Sequence, residues 1–568
     1  MTYLHCYEEV KQLTKDLVSI PSIVREPGGE TNCARKIHAY YMSLDYFKEH
    51  PDQTRILQTE DDFVVRHSAY AYVKGTGGSS NRTLILIGHI DTVGVDDFGP
   101  LKEYAFDPDR LPSKFLELAV SDEVRADIES GRYLFGRGAL DMKSGVAGHM
   151  YLIHYFSRHP ELLDGNLLAY AECDEEDNSH GIITGLKEFK RLKEKEGFEY
   201  IACVNADYTT PYHPADTNRY VYFGSIGKLL PSYYVVGKET HVGQPYGGLD
   251  PNQILSELTR LIELNTDLCD EAQGEVMVPP ISLKQADFKE GYTVQTALAA
   301  FAYYNFFTHS MSPVDVMQIA RQKAVEAFDN VVRSINESYR RYCEKSHVEY
   351  VPLPWKTRVY TWEEYRNYLA SLCGDTFSHH IEEFAAKLNE AEPALDLRLF
   401  SVRVIEEAHR WDTDKSPLVV VFFGSIFSAR IEMTGKTEKE QTLLNAVEQA
   451  VASVQPQCPN PIRIRMFYPY ISDSSFMALS DDVSSIASMG RNMPSWKSKY
   501  YYDADLVMNI NVPVVNIGTF GKDGHKMTER VDMRYTFENV PNMTFQTILR
   551  CLAPEIPEEV SEKISEEV

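Results

Sequence analysis

Cysteine is scarce and scattered in this 568-residue chain: nine residues, from Cys6 to Cys551, with no CxxC among them. That pattern excludes a disulfide-stapled scaffold and a structural zinc ribbon. Hydrophobic runs are short; one such run, Leu418 to Phe423, falls far below the roughly 20 residues of a membrane helix. The opening MTYLHCYEEVKQL has neither a basic nor an apolar leader region, so the sequence predicts a cytoplasmic protein without membrane attachment. Positive charge is in deficit. Lys and Arg number 57 against 83 Asp and Glu, a formal net charge of −26, which argues against nucleic acid or an anionic membrane as partner. With 32 glycines and 28 prolines the chain is neither collagen-like nor broadly disordered. No GxSxG occurs, which disfavours a serine hydrolase. What remains is an ordinary globular composition, 43% apolar and 25% charged, long enough for two to four domains of about 150 residues.

Residues 6–20 place Val10, Leu13, Leu17 and Val18 on one helical face, and CARKIHAYYMSL predicts a second helix. Four apolar runs follow at intervals: TLILIGHIDTV, NLLAYAECDEE, YIACVNADY and VPVVNIGTF. Interleaved with helical patterns, such runs predict buried parallel or mixed strands of an α/β sheet. Each ends in residues with reactive side chains, and ligands of open α/β sheets collect outside the carboxyl ends of the strands. That rule gathers His89, Glu175, Glu176, Asp207 and His525 at one rim. The middle of the chain reads differently. Strand-like residues 222–240, a helix in NQILSELTRLIELN, strands around ISLKQADF and AFAYYNFF, a helix after Ser312-Pro313 and the strand PLVVVFF give a β-α-β-β-α-β order. This is the order of a small two-layer α+β domain inserted into the larger one. The expected boundaries are 1–220 and 431–568 for the catalytic domain and 221–430 for the insert, with a mainly helical block at 337–415. The acidic tail PEIPEEVSEKISEEV reads as a frayed end or a surface helix.

His89-Ile90-Asp91 closes the first run. At strand spacing i and i+2 share a face, so the Asp91 carboxylate can hold the His89 imidazole from behind. In Gly138-Ala139-Leu140-Asp141-Met142-Lys143-Ser144-Gly145 a carboxylate sits on a glycine-flanked turn. Such a carboxylate either caps a helix or is pushed forward far enough to touch two cations. Asp174-Glu175-Glu176 ends NLLAYAEC; three adjacent acids are costly unless solvated or metal-bound, and so apolar a run leading into them weakens the solvated reading. Asp207 ends YIACVNADY, and His525 lies in GKDGHKMTE just after the last strand. Each is unremarkable alone. Together, two histidines and three carboxylates, one of them shared, can hold two divalent ions with open positions for water. Imidazole and carboxylate together suit Zn²⁺, with Mn²⁺ or Co²⁺ as competitors.

In this order the motifs HxD, GxxDMKSG, DEE, an acidic strand end and a C-terminal histidine followed by Glu529 resemble the co-catalytic zinc metallopeptidase and aminoacylase family. That family includes glutamate carboxypeptidase, succinyl-diaminopimelate desuccinylase and several dipeptidases. The segment GKETHVGQP at 237–245 is similar to the family's lid-histidine segment. DFKEGYTVQTALAAFAYYNFFTHSMSP and PYISDSSF are similar to its RocB-type arginine-utilisation branch. The resemblance implies an α/β zinc-peptidase-type mixed-sheet catalytic domain interrupted by an inserted α+β lid. It implies His89 and Asp207 on one metal, Glu176 and His525 on the other, and Asp141 bridging. Asp91 would orient His89, Glu175 would be the general base, and lid residue His241 a hydrogen-bond donor to the oxyanion. Asp473 and Ser474 are substrate contacts by the same resemblance, a plain turn accounting for them equally well. The Asp141–Met142 peptide should be cis. The implied function is hydrolysis of an amide in a short peptide or N-acyl amino acid, with a place in arginine catabolism. The rival is a non-catalytic metal-binding or regulatory protein that keeps the fold. Two features depart from the family: the His89-to-Asp141 stretch is longer, so Asp96 to Arg137 should border the cleft, and Asp207 stands where many carboxypeptidases have Glu. Smaller members dimerise through the lid, with the lid histidine reaching the neighbour's site. The enlarged 221–430 region would let His241 serve its own chain, so both a homodimer and a monomer fit.

Overall fold

The computed structural model describes residues 3–553, so the acidic tail lies outside the described residues. The chain divides into two compact units. The larger comprises the chain up to Ser225, Ile431–Leu479 and the chain from Asp505 onward; the smaller comprises Ile226–Arg430 and Ser480–Ala504. Residues 480–504 thus cluster with the inserted unit rather than with the second catalytic segment.

The larger unit is built on an eight-stranded sheet in the order Thr54–Gln58, His67–Lys74, Asn166–Glu172, Arg82–His89, Glu199–Asn205, Val514–Asn516, Arg219–Phe223, Ile462–Arg465. Asn166–Glu172, Arg82–His89, Glu199–Asn205 and Val514–Asn516 run parallel. They are the four apolar runs of the sequence, buried along nearly their whole length, as parallel strands covered by helices must be. The strand Arg219–Phe223, which straddles the expected boundary between 220 and 221, belongs to this sheet: it pairs antiparallel with Val514–Asn516 and parallel with Ile462–Arg465. Helices Gly29–Ser43, Ser144–Arg158, His180–Glu196, Glu438–Val454 and Val540–Leu552 pack against the sheet. Helix Tyr7–Val18 buries Val10, Leu13, Leu17 and Val18 in the same core as Leu84, Leu86, Val146, Val447 and Ile548. At about 1.5–3 kcal/mol for each fully buried aliphatic side chain, this core supplies the main stabilising term. A small antiparallel sheet of Gly521–Lys522, Arg530–Asp532 and Tyr133–Phe135 completes the unit.

The smaller unit has a sheet ordered Ile281–Asp287, Ala299–Thr308, Pro231–Val236, Leu418–Phe423, Val359–Thr361. Helices Pro251–Ile262 and Pro313–Ser346 pack on it. The latter starts where the sequence marks it: Ser312 and Asp315 form a reciprocal capping box and Pro313 occupies the first turn. The block read as helical holds helices Trp362–Cys373, Asp375–Ala391 and Leu397–Arg410. It also supplies the short strand Val359–Thr361, parallel to Leu418–Phe423. Trp362, Tyr365, Phe400 and Ile405 bury against Tyr234, Val236 and Val420, so the block is part of this unit's core. Among the described residues no helix is long and apolar enough to cross a membrane.

Candidate metal centre

Three parallel strands deliver the acids and the first histidine to one edge. His89 is the last residue of its strand and pairs in register with Glu172. Its neighbour strand runs on through Cys173 into Asp174, whose left-handed backbone (φ 67°) turns the chain and sends Glu175 and Glu176 forward. The Asp91 carboxylate accepts both of their backbone N–H groups, at 3.2 and 3.0 Å. It also stands 3.7 Å from His89 Nδ1, whose nearer acceptor is the Asp91 carbonyl at 3.2 Å. The Asp91 carboxylate thus stands beside the histidine, beyond hydrogen-bond distance of its Nδ1, and fixes the acid loop through the two N–H groups it accepts.

Asp141 sits on the turn between Gly138, which adopts φ 78°, and helix Ser144–Arg158. A Cβ on Gly138 would meet Thr92 at 2.7 Å, so the turn has room only for glycine. The Asp141–Met142 peptide is cis. Buried Glu529 accepts from the N–H groups of Leu140 and Asp141 at 3.1 and 3.4 Å, and is itself held by the Arg137 guanidinium at 2.6 Å. Arg137 also reaches Asp97 at 3.1 Å and the Gly94 carbonyl at 3.3 Å. The stretch after Asp96 is thereby tied to the Asp141 turn.

The two carboxylate oxygens of Asp141 face different imidazoles. Oδ1 lies 2.8 Å from His89 Nε2 and Oδ2 lies 2.9 Å from His525 Nε2. His525 Nε2 is also 3.0 Å from Glu176 Oε1. Glu175 Oε2 stands 4.0 Å from His89 Nε2. Donor atoms of His89, Asp141 and Glu176 all fall within 4.8 Å of one another. Asp207 is buried at the end of Glu199–Asn205 and accepts the Tyr208 N–H at 2.7 Å. Burial, then the Asp141 charge, pushes its pKa up to about 7. Burial likewise raises Glu175 well above the carboxylate range. Burial pulls the His525 imidazole down, but its bonds to Asp141 and Glu176 outweigh it and hold the pKa near 11.

Two further acids join the cluster. Glu172, inside the apolar run, is buried beside His89, accepts the Gly88 N–H at 3.2 Å and is held well above its usual pKa by burial and then by Asp473. Asp473 is buried with one carboxylate oxygen lacking a hydrogen-bond partner, and burial followed by the Asp91 charge lifts its pKa to about 8. Ser474 is buried in the same short turn. Asp141, Glu172, Glu175, Glu176, Asp207 and Asp473 outnumber the two imidazoles that face them. Such an excess of buried negative charge is stable only with protons or cations, and its imidazole and carboxylate donors fit divalent ions. His241 lies on the smaller unit, exposed, its Nδ1 accepting the Gly243 N–H at 3.0 Å.

A second acid cluster of Glu30, Asp62, Asp174 and His180 is organised differently. The Arg66 guanidinium fills its centre, 2.6 Å from Asp174, 2.7 Å from Asp62 and 3.4 Å from Glu30. The arginine takes the place a cation would need. Neither Arg66 nor Glu172 and Arg137 carries a local sequence signal, and Glu529 is marked only by its place after His525 in the family resemblance; the partners of these residues lie up to several hundred residues away.

Comparison with known proteins places this geometry. The sequence model of peptidase family M20/M25/M40 matches residues 85–515. Protein RocB of Bacillus subtilis is 34% identical over 97% of this chain and 96% of its own. A succinyl-diaminopimelate desuccinylase of Cupriavidus pinatubonensis is 27% identical over 49% of this chain and 63% of its own. Among solved structures, aminopeptidase PepT of Bacillus cereus superposes with a TM-score of 0.50 at 10% identity, covering 96% of this chain and 98% of that one. This last likeness speaks for the fold alone.

Proposed function

The chain belongs to peptidase family M20/M25/M40, and from that premise we propose that it is a dinuclear metal-dependent hydrolase cleaving an amide bond in a small N-acyl amino acid or short peptide. The observation that carries the dinuclear reading is the split of the Asp141 carboxylate between two imidazoles, at 2.8 and 2.9 Å. In this reading His89 and Asp207 would hold one ion and Glu176 and His525 the other, with Asp141 shared between them. When bound, two divalent ions, Zn²⁺ with Mn²⁺ or Co²⁺ as competitors, would supply Lewis-acid polarisation of the amide carbonyl and a lowered water pKa. Glu175 takes the proton of the attacking water and delivers it to the leaving amine. Asp91 keeps His89 in one tautomer and holds the Glu175 and Glu176 backbone in place. His241 is the proposed hydrogen-bond donor to the oxyanion, and Asp473 and Ser474 border the substrate. The likeness to RocB along nearly the whole chain supports a substrate from arginine catabolism.

Two measurements test the reading together. Metal analysis should find close to two divalent ions per chain in the wild type, none in Asp141→Ala, and one weakened in His89→Ala. Incubation with cell metabolite extract plus Zn²⁺ or Mn²⁺, followed by mass spectrometry, should show an amide consumed by wild type and spared by Glu175→Gln. A single ion indifferent to Asp141→Ala would refute the bridging carboxylate. A metal-loaded protein that consumes no amide would favour the non-catalytic rival.

A further inference from the structure

The two histidines of the centre are held by different means. His89 ends a buried strand and has the Asp91 carbonyl 3.2 Å from its Nδ1. His525 stands on a loop with its side chain 45% exposed, and its Nε2 lies 2.9 Å from Asp141 and 3.0 Å from Glu176. Among the described residues its Nδ1 has no hydrogen-bond partner. A metal-binding imidazole is ordinarily oriented by an acceptor on its second nitrogen. The ring of His525 therefore takes its place from the loop that carries it.

That loop joins Gly521–Lys522 to Arg530–Asp532, two antiparallel strands of the small sheet. Asp523 and His525 both adopt left-handed backbone, φ 59° and 63°, which a residue other than glycine keeps only where its surroundings over-determine it. The surroundings are built for this. One Asp523 carboxylate oxygen accepts the Thr528 hydroxyl at 2.8 Å and the Arg530 guanidinium, so the start of the loop is tied to its end. The other oxygen faces exposed Lys526 at 3.5 Å. The guanidinium nitrogen that reaches Asp523 also donates to the Thr528 carbonyl at 3.0 Å. Within the loop the Lys526 N–H donates to the Asp523 carbonyl and the Glu529 N–H to the Lys526 carbonyl, each at 3.0 Å.

Arg530 is anchored in turn. It is 1% exposed, lies 5.8 Å from the centres of both the Tyr133 and Phe135 rings, and donates through Nε to Asp127 at 2.8 Å. Asp127 also accepts Lys522 at 2.9 Å, and Lys522 pairs with Glu123 at 2.8 Å. Glu123 and Asp127 stand on the helix Asp122–Ser130, and Tyr133–Phe135 is the next strand. All of these belong to the Asp96–Arg137 stretch, whose other end, through Arg137 and Glu529, supports the Asp141 turn.

We propose that Arg530 and Asp523 are positioning residues for His525. Acting through the backbone of the loop, they hold its imidazole facing Asp141 and Glu176, and Asp127 makes the Asp96–Arg137 stretch part of that support. The proposal rests on the dinuclear reading and adds to it what places the more exposed of the two histidines.

Titration of the metal-free, full-length protein with Co²⁺ tests it, followed by calorimetry and by the visible absorption of the bound ion. His525→Ala marks which ion depends on that histidine. Asp523 lies on a turn with its side chain 27% exposed, and Asp523→Gly removes the clamp while keeping a backbone that glycine adopts freely. It should weaken the His525-dependent ion about tenfold or more, the usual loss when the group supporting a metal ligand is removed, and leave the other ion within about twofold. Asp523→Asn keeps an oxygen for Thr528 and Arg530 and should bind both ions within about threefold of wild type. Asp127→Ala should weaken the same ion as Asp523→Gly. Equal weakening of both ions would reduce the clamp to general support of the fold, and two ions held by Asp523→Gly as tightly as by wild type would show that something else places His525. Either result would overturn the proposal and leave the dinuclear reading standing. A wild type whose metal binding is indifferent to His525→Ala would overturn both.

Discussion

Substituting each of two adjacent glutamates in turn separates the proposed base from the proposed ligand. In Glu175→Gln the backbone N–H groups of residues 175 and 176 still donate to Asp91, and the new side chain has nearly the shape of the old. Glu175 Oε2 lies 4.0 Å from the nearest imidazole nitrogen, so no short contact is broken and the loop keeps its place. What is lost is the proton acceptor. A general base is worth about 10²–10⁴ in rate, or about 2.7–5.4 kcal/mol of transition-state stabilisation. kcat should fall by that factor while KM and metal content stay within about twofold. Glu176→Gln acts elsewhere. Its Oε1 is 3.0 Å from His525 and clusters with the donors of His89 and Asp141, so an amide there removes an anionic donor and metal content should fall with turnover. Steady-state kinetics on the amide identified by the extract screen, with metal analysis of the same samples, decides the matter. If both variants lose metal alike, or Glu176→Gln keeps its metal while losing turnover, the assignment of the pair is wrong.

Arg66→Met should destabilise the protein by about 3–5 kcal/mol in urea denaturation, because it strands buried Glu30 and Asp62 without their cation and leaves Asp174 only His180; a loss below about 1 kcal/mol would show that the cluster is not held by the arginine. His409 in the smaller unit has its pKa held down to about 4, first by burial and then by Lys415. The unfolded chain, with an ordinary histidine near 6.5, therefore takes up this proton first as pH falls. Stability should drop between about pH 6.5 and 4, by at most about 3 kcal/mol, and level off below. His409→Gln should flatten that slope in denaturation series, and an unchanged slope would refute the attribution. Finally, Glu175→Ala protein mixed with His241→Ala protein after partial unfolding should stay inactive if His241 serves its own chain. Recovered activity would show that it serves a partner.

What the sequence could reveal of this fold follows from how burial is written in a chain. A parallel strand covered on both faces becomes an unbroken apolar run, and TLILIGH and NLLAYAE were legible for that reason. Thr54–Gln58 is an edge strand with exposed Arg55 and Gln58, so its pattern is that of any mixed loop. His67–Lys74 is buried throughout its interior, but Ala and Tyr in alternation satisfy neither the apolar-run nor the apolar-polar template. Val359–Thr361 is too short to carry a period; it is a strand because Leu418–Phe423 offers it a free edge to pair with. The helical reading of 337–415 therefore missed the strand by which the block pairs with the edge of the sheet. The boundary of the insert fell a few residues early because Arg219–Phe223 and Pro231–Val236 look alike in sequence and differ only in which sheet receives them.

The candidate centre divides along the same line. His89, Asp141, Glu175, Glu176, Asp207 and His525 were legible because each stands where an apolar run or a glycine turn stops, and the abrupt change of polarity is itself the signal. Arg137 and Glu172 were not, and Glu529 was marked only through the family resemblance, because what they do is done across the sheet. Glu529 meets Arg137 nearly four hundred residues away, and nothing near either one marks it as a support for the Asp141 turn. Asp91 shows both situations in one residue. Its place beside His89 is local, two residues on from the end of the strand, whereas its hold on the Glu175 and Glu176 N–H groups joins neighbouring strand ends 84 and 85 residues apart. The local half makes Asp91 a partner of the histidine. The distant half makes it the group that fixes the separation between the histidine and the acids, so a change at Asp91 should move both sides of the site at once.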